Sequence, residues 1–222
     1  MQQTPIHSQH NPELLQLIPI HSNKIIEIGC SSGALAREFK LLQPNCNYLG
    51  VEIDETYAHL ASQYCDMCIA QDVELATDSF WNNQTERDCW IFGDTLEHLR
   101  DPWRIIKNIR QIIPLTGCIV ACIPNAQHWS LQAKLCIGDF RYQTDGLLDK
   151  THLRWFTRQT IIELFEDAGF SIESVIPRIS NSPNRESILP NIRAMAISVG
   201  ADPETAISDA LPLQYVIRAI PK

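Results

Sequence analysis

The feature that most constrains this chain is the segment at residues 24–33, KIIEIGCSSG, in which a short apolar run stops at a glycine. Lys24–Ile28 is rich in β-branched residues, which predicts a buried strand. Gly29 and Gly33 follow it, and residues 34–42 have the apolar spacing of a helix. A strand, a glycine turn and a helix in this order let a backbone approach a ligand closely and point free helix N–H groups at it. We therefore predict a ligand site where this first strand ends.

Further strand and helix signals alternate along the chain. Apolar runs at 48–53, 67–70, 89–92 and 118–123 predict four more strands, with helices between them. This alternation predicts an α/β fold with a parallel sheet and helices on both faces, and such sheets bind ligands at the carboxyl ends of their strands. Five polar residues fall at predicted strand ends: Glu27, Glu52, Asp72, Asp94 and Asn125.

The glycine turn distinguishes between two nucleotide-binding patterns. The dinucleotide fingerprint G-x-G-x-x-G needs a glycine where this chain has Ser31. The pattern E-x-G-x-[GS]-x-G fits from Glu27 to Gly33. Glu52 follows at the end of the second strand, where a carboxylate can accept hydrogen bonds from both hydroxyls of a ribose. A turn that uses glycine only for tightness, with Glu52 solvated, is the simpler alternative.

Three segments together resemble the class I S-adenosylmethionine (SAM)-dependent methyltransferases. They are residues 24–33, GDTLEHLRDPWRIIKNIRQIIPLTG at 93–117 and GLLDKTHLRWFTRQTIIELFEDAGF at 146–170. The second is similar to small-molecule methyltransferases. The third is similar to a subgroup linked to sugar or glycan pathways and to the O-methyltransferases of ubiquinone synthesis. The resemblance implies a Rossmann-like seven-stranded sheet, mostly parallel, with a terminal antiparallel hairpin that we expect at 171–179 and 214–220.

The resemblance also implies SAM as the cofactor and S-adenosylhomocysteine (SAH) as the product. It places Glu27 at the methionine end of SAM, Glu52 at the ribose, and Asp72 at the adenine amino group with Val73 packed on the ring. Asp72 could equally be a turn residue. The cofactor-binding residues that we expect are Glu27, Gly29, Cys30, Ser31, Gly33, Glu52, Ile53, Asp72, Val73 and Asp94.

Methyl transfer to a hydroxyl needs alignment, exclusion of water and a base, and histidine has a suitable pKa. His98, His128 and His152 follow predicted strands or lie in the third similar segment. We predict His152 and His98 as catalytic residues, with Asp149 orienting His152. A structural histidine that ties the segment to the next helix is the alternative for His152.

A metal centre is another interpretation of the same region. Asp94, Glu97 and His98, together with His152, resemble the carboxylate and histidine cluster of small-RNA 2′-O-methyltransferases, in which a divalent ion activates a ribose hydroxyl. The net charge of −8 and the lack of a basic stripe argue against a nucleic-acid partner. We predict no bound metal and no nucleic acid.

The sequence contains eight cysteines, and its N-terminal segment shows no recognisable signal peptide. We therefore predict reduced thiols in a cytoplasmic protein. Cys65 and Cys68 form a single C-x-x-C motif, and a zinc site would need a second pair. No apolar run reaches about 18 residues, so we expect no membrane span.

We predict one domain over residues 1–222, with lid-like segments at 126–150 and 180–212. The sequence does not determine the oligomeric state, and a homodimer is one alternative. The predicted function is a SAM-dependent methyltransferase acting on a small-molecule or sugar-linked acceptor, most readily at oxygen. The alternatives are a SAM-fold binding or regulatory module without catalysis and an NAD-dependent oxidoreductase.

Overall fold

The computed structural model describes residues 8–222, and in that range it contains one sheet of seven strands in the order β3–β2–β1–β4–β5–β7–β6. The strands are β1 Lys24–Ile28, β2 Asn47–Glu52, β3 Met67–Ala70, β4 Cys89–Gly93, β5 Cys118–Pro124, β6 Phe170–Arg178 and β7 Gln214–Pro221. Strands β1 to β5 pair in parallel, whereas β7 is antiparallel to both β5 and β6. The predicted mostly parallel sheet with a terminal antiparallel hairpin is confirmed.

Helices connect these strands within the described part of the chain. They are α1 Pro12–Leu17, α2 Ala34–Leu42, α3 Glu55–Ala61, α4 Asp78–Asn82, α5 Pro102–Ile112, α6 Trp129–Cys136, α7 Arg158–Glu166, α8 Arg185–Ser198 and α9 Pro203–Ala210, with 3-10 turns at Val73–Leu75 and Leu96–His98.

Side-chain caps explain where several of these helices begin. The Asn11 side chain accepts from the N–H of Leu14, and Pro12 occupies the first position of α1, where no N–H is needed. Asp54 accepts two N–H groups at the start of α3, and Thr157 forms a capping box with Thr160 at the start of α7. These caps fix the points at which the chain leaves the sheet edge.

The core lies on both faces of the sheet because alternate residues of each strand point to opposite faces. Ile25 and Ile91 pack with α1 and α2 on one face, and Ile26 and Trp90 pack with α5 and α7 on the other. Apart from Lys24 and Glu27 in β1, the strands β1, β4 and β5 are therefore apolar, as parallel strands buried on both faces are.

The two segments predicted as lids have defined structure. Residues 180–212 contain α8 and α9, which contact each other, and α8 also contacts α6 from the segment 126–150. None of the helices in residues 8–222 has both the length and the apolar character to cross a membrane.

Candidate active site

The loop after β1 adopts backbone conformations that favour glycine. Gly29 has φ +75°, Ser31 +47° and Gly33 +80°. A Cβ atom on Gly29 would lie 2.6 Å from Oγ1 of Thr95, so only glycine fits there. Ser31 is held in its unfavourable left-handed conformation by a 2.8 Å hydrogen bond from its N–H to Oε2 of Glu52.

Glu52 joins this loop to the end of β2. Its Oε2 accepts the N–H of Ser31, and its Oε1 accepts the N–H groups of Ile53 and Asp54 at 2.8 and 3.1 Å. Burial raises the pKa of Glu52, and the three backbone hydrogen bonds act in the opposite sense. An ionised carboxylate offers about four acceptor positions, so these bonds leave capacity for a further donor. Glu52 therefore locks the loop and remains able to bind a ligand hydroxyl.

Glu27 has a partner that the sequence did not indicate. The Tyr48 hydroxyl donates a 2.8 Å hydrogen bond to Oε2 of Glu27, and both side chains are buried. Burial raises the pKa of Glu27 to about 8, while the bond from Tyr48 lowers it. The Glu27 carboxyl is therefore largely protonated at neutral pH in the free protein.

Asp72 and Val73 lie at the end of β3. Asp72 accepts the N–H of Glu74 through Oδ1, and its Oδ2 accepts a 2.8 Å bond from Nη2 of Arg100. Val73 is buried and starts a short 3-10 turn. Asp72 is thus a turn-capping residue fixed by an arginine, and its contact with adenine stays a prediction.

Asp94 directly follows β4 and has a left-handed conformation, with φ +54°. Its Oδ1 accepts hydrogen bonds from the Gln214 side chain and, at 3.4 Å, from the Cys122 thiol. These contacts tie the carboxyl end of β4 to β5 and β7.

Two histidine rings converge on one buried carboxyl group beyond β4. The ring centroids of His98 and His152 lie 4.8 Å apart. Nε2 of His152 is 3.9 Å, and Nε2 of His98 is 4.0 Å, from Oε1 of Glu97. The Glu97 side chain is 1% exposed, and its two oxygens have no hydrogen-bond partner among the described residues.

The hydrogen bonds of the two rings define their tautomers. Nδ1 of His98 lies 3.2 Å from the carbonyl oxygen of Thr151, and Nδ1 of His152 lies 3.3 Å from that of Leu147. Because a carbonyl oxygen only accepts, each Nδ1 carries the proton and each Nε2 keeps its lone pair. Burial lowers the pKa of both histidines, and for His152 the neighbouring His98 adds to that effect. Both rings are therefore predominantly neutral at neutral pH and can act as bases.

Glu97 is the acidic member of this cluster. Burial, followed by the nearby charge of Asp94, raises its pKa well above the usual value. The carboxylate expected to orient His152, Asp149, instead accepts from the N–H and hydroxyl of Thr151, at 2.8 and 2.7 Å. The Thr151 hydroxyl also lies 3.1 Å from Nδ1 of His98, so Asp149 is connected to His98 through Thr151, and its role in orienting His152 stays a prediction.

The cluster has a composition that could hold a divalent cation. The ligand atoms of Glu97, His98 and His152 all lie within 4.8 Å of one another, and two histidines with a carboxylate are common ligands of transition metals. Asp94 is not part of this group. The prediction that the protein binds no metal stays a prediction.

These features open into one cavity of about 720 Å³ at the carboxyl ends of the strands. The expected cofactor residues line it except Gly33, and both catalytic candidates line it as well. Gly33 instead caps the start of α2, where an added Cβ would lie 3.0 Å from the Cα of Ala61.

Asn125 is fully buried and donates to the carbonyl oxygens of Asp209 and Pro212. It is therefore a structural residue at the end of β5.

The part of the wall that precedes β1 was not expected from the sequence. The segment Gln9–Leu14 contributes Gln9, His10, Asn11 and Leu14. Residues 145–153 contribute most of another wall, so the carboxyl end of the predicted lid 126–150 reaches the site. In the described part of the chain, the cavity wall contains no residue of 180–212. His128 lies outside the cavity and caps α6, and burial lowers its pKa to about 4.

Comparison with known proteins adds a family match. The model of a methyltransferase domain family matches residues 8–175, which is more than half of the chain. No curated protein matches the sequence.

Solved structures share the fold at low identity. A SAM-dependent methyltransferase from Archaeoglobus fulgidus has 17% identity and a TM-score of 0.61, with 94% of this chain and 91% of that chain covered. Magnesium protoporphyrin IX methyltransferase from Synechocystis, with bound SAH, has 14% identity and a TM-score of 0.59, with 95% and 80% covered. A SAM-dependent methyltransferase from Thermotoga maritima, described as a possible histamine N-methyltransferase, has 19% identity and a TM-score of 0.59, with 94% and 88% covered.

Proposed function

This chain belongs to the methyltransferase domain family, and from that premise we propose that it transfers the methyl group of SAM to a hydroxyl of a small-molecule or sugar-linked acceptor. The observation that carries the proposal is the position of the neutral His98 and His152 rings in the same cavity as Glu52 and the glycine loop. A cavity of about 720 Å³ has room for a cofactor and a small acceptor, since such sites measure roughly 300–1,000 Å³.

The cofactor half of the site consists of the loop after β1 and the ends of β2 and β3. We assign the ribose hydroxyls to Glu52 and the methionine end to Glu27, with Cys30, Ser31 and Ile53 along the path. We also assign Asp72 and Val73 to the adenine end and Asp94 to the boundary between the two halves, since all three line the cavity. The ammonium group of SAM favours the charged form of Glu27, so we expect cofactor binding to release the proton that burial keeps on this carboxyl.

The acceptor half contains the base. Methyl transfer from a sulfonium is a displacement in which the protein aligns the nucleophile with the methyl group and excludes water. Nε2 of His152 carries a lone pair, and the ring is held at Nδ1 by the carbonyl oxygen of Leu147. We assign to it the removal of the acceptor proton, with His98 as the second base in contact with the same space.

A divalent cation is a second way to activate the acceptor. Glu97, His98 and His152 would hold it, and it would lower the pKa of a bound hydroxyl. The orphaned buried oxygens of Glu97 favour this alternative. We retain the metal-free base as the proposal, and we expect activity to persist after dialysis against a chelator. The cation would be favoured if the chelator abolished activity, if Mg²⁺ or Mn²⁺ restored it, and if neither ion restored activity in Glu97→Gln.

The proposal is tested first by cofactor binding. A ligand present at 100 times its Kd adds about 2.7 kcal/mol to the free energy of unfolding, which thermal denaturation detects easily. We expect SAM and SAH to stabilise the protein and NAD⁺ to have no effect. Stabilisation by NAD⁺ alone would support the oxidoreductase alternative instead.

The second test separates an enzyme from a binding module. SAH release is measured with SAM and a panel of sugar, phenol and alkyl hydroxyl acceptors, and with amine acceptors as the comparison for the target atom. We expect release with a hydroxyl acceptor and much less in His152→Ala. SAM binding without release for any acceptor would favour a regulatory module.

We propose the cytoplasm as the place of action, since its reducing conditions suit free thiols at all eight cysteines.

A further inference from the structure

Three cysteine thiols meet beneath the loop that follows β1. The Sγ atoms of Cys30 and Cys68 lie 3.7 Å apart, and the Cys65 thiol occupies the same space. All three surround Gly50 in the middle of β2. A Cβ atom at Gly50 would lie 2.7 Å from Sγ of Cys30 and 3.1 Å from each of the other two sulfur atoms. The absent side chain of Gly50 therefore provides the space in which the thiols meet, and we call these three residues the thiol cluster.

The thiol cluster is connected directly to the cofactor half of the candidate site. Cys30 lies between Gly29 and Ser31 in the loop, and it lines the cavity. The N–H of Ser31 holds the loop to Glu52, the residue proposed to bind the ribose. Gly29 and Ser31, on either side of Cys30, both have left-handed backbone conformations. The loop can therefore move little without changing these conformations when the Cys30 sulfur is modified.

One residue of the cluster is partly exposed to solvent. Cys68 is half-buried in β3, a strand at the edge of the sheet, whereas Cys30 and Cys65 are buried. Hydrogen bonds from Cys30 and Cys65 lower the pKa of the Cys68 thiol well below that of a free cysteine. Cys68 is thus the thiol of the cluster that a small oxidant meets first.

We propose that Cys30 and Cys68 form an oxidisable pair, in which a peroxide converts the two thiols to a disulfide that distorts the cofactor loop. The Cys68 thiol loses its proton and its sulfur attacks a peroxide oxygen. The O–O bond breaks, and the leaving hydroxide takes up that proton, so that a sulfenic acid and one water form. The Cys30 sulfur then attacks the Cys68 sulfur, the S–O bond breaks, and a second water leaves with the proton of Cys30. The balance is two thiols and one hydrogen peroxide to one disulfide and two waters.

The geometry shows why this change reaches the cofactor site. A disulfide has an S–S length of about 2.05 Å, so the two sulfur atoms must approach from 3.7 Å. Cys68 belongs to a paired strand, in register with Gly50, and Cys30 belongs to the loop. We therefore expect the loop to move more than the strand, which changes the position of Ser31 relative to Glu52.

The chain contains its own comparison for the effect of access. Cys89 and Cys118 also have Sγ atoms 3.7 Å apart, but both are buried between central strands. Cys136 is exposed and lies on α6, away from the cluster. If sulfur distance alone governed oxidation, the Cys89–Cys118 pair would react as readily as Cys30–Cys68. If exposure alone governed it, Cys136 would react more readily than Cys68.

The test uses the full chain, reduced and then exposed to hydrogen peroxide, with the remaining thiols alkylated before peptide mapping by mass spectrometry. We expect a Cys30–Cys68 cross-linked peptide, with Cys89 and Cys118 still alkylated. A Cys65–Cys68 or Cys89–Cys118 disulfide in its place, or sulfonic acid at Cys68 without a cross-link, would overturn the pairing.

The effect on the site is measured by SAH affinity before oxidation, after oxidation and after a thiol reductant. We expect the Kd to rise about tenfold or more on oxidation and to recover on reduction. Cys68→Ala should keep its affinity under the same peroxide, and Cys136→Ala should respond as the unmodified chain does. If Cys68→Ala folds poorly, Cys68→Ser replaces it. A mapped disulfide with unchanged affinity would refute the coupling to the loop.

This effect on affinity rests on the proposed function, whereas the peptide map does not. A reduced protein that fails to bind SAH would count against the proposed function, and the cross-linked peptide would still decide the pairing.

Discussion

The Nε2 atom of His152 lies 3.9 Å from Oε1 of Glu97, a separation too long for a direct hydrogen bond. His98 Nε2 lies 4.0 Å from the same oxygen. Both rings are held at Nδ1 by backbone carbonyl oxygens, so the gap between them and the carboxyl group is set by the fold. A third group that bridges these atoms, such as an acceptor hydroxyl, would satisfy the orphaned oxygens of Glu97.

Replacement of His152 tests its role as base. His152→Ala should lower kcat by about 10²–10⁴-fold, the usual contribution of general base catalysis. SAM affinity should be nearly unchanged, because the ring lies in the acceptor half of the cavity. Steady-state kinetics and a SAM titration measure the two effects. His59→Ala, an exposed residue of α3, is the matched control and should match the unmodified protein. Weak SAM binding together with low kcat in His152→Ala would indicate a structural histidine.

Replacement of Glu52 tests the cofactor site. Glu52→Ala should weaken SAM binding by about 2–4 kcal/mol, because the ribose loses two hydrogen bonds and its hydroxyls stay buried without partners. The change also frees the N–H groups of Ser31, Ile53 and Asp54, so thermal stability should fall as well. Glu52→Gln keeps one acceptor oxygen and should be affected less in both respects.

Isothermal titration with SAH measures the affinity, and Glu55→Gln, an exposed neighbour at the start of α3, is the control. Affinity in Glu52→Ala that equals that of the Glu55 control would place the ribose elsewhere.

The sequence could predict the strand ends and the loop because local rules determine them. Lys24–Ile28 and residues 34–42 are the observed β1 and α2, since apolar period, glycine and cap residues act over a few positions. Glu27, Glu52 and Asp94 line the cavity because parallel strands bring their carboxyl ends to one edge.

The remaining parts of the site depend on register and long-range packing, which local patterns do not contain. Ile25 of β1 pairs with Tyr48 of β2, and Glu27 lies two residues after Ile25. The side chains of Tyr48 and Glu27 therefore lie on the same face of the sheet, where they form a hydrogen bond. The partner of Asp94, Gln214, is 120 residues away. The strand-end position of Asn125 predicts a site residue, but its side-chain amide donates to the carbonyl oxygens of a distant segment.

Burial of Glu27 predicts a pH dependence of stability. Its pKa is about 8 in the folded protein against 4.5 for an exposed glutamate, so the folded state binds more protons between these values. The free energy of unfolding should therefore be highest below pH 4.5 for this group and fall as the pH rises toward 8, by up to about 1.4 kcal/mol per unit. Glu27→Gln removes this term, so its stability should fall less steeply over the same range.

Urea unfolding at about pH 5.5 and 7.5 measures the difference in slope, and Glu55→Gln again serves as control. Other buried acids such as Glu97 contribute to both proteins and cancel in the comparison. Parallel slopes for Glu27→Gln and the unmodified protein would mean that Glu27 is ionised in the fold.

The close approach of Gly29 to Thr95 gives the last prediction. Gly29→Ala should destabilise the protein by about 1–3 kcal/mol, because the new Cβ would lie 2.6 Å from Oγ1 of Thr95 and the left-handed φ of +75° disfavours alanine. Thr95→Ala alone should cost about 1 kcal/mol, since the hydroxyl donates to the carbonyl oxygen of Ile28. The double variant should lose less unfolding free energy than the sum of the two single losses. Removal of the threonine side chain relieves the overlap with the new Cβ and leaves only the backbone strain at residue 29. A double-mutant cycle by urea unfolding measures this coupling. Simple additivity would show that the loop moves away from β4 to accept the methyl group, and SAH affinity should then fall in Gly29→Ala without recovery in the double variant.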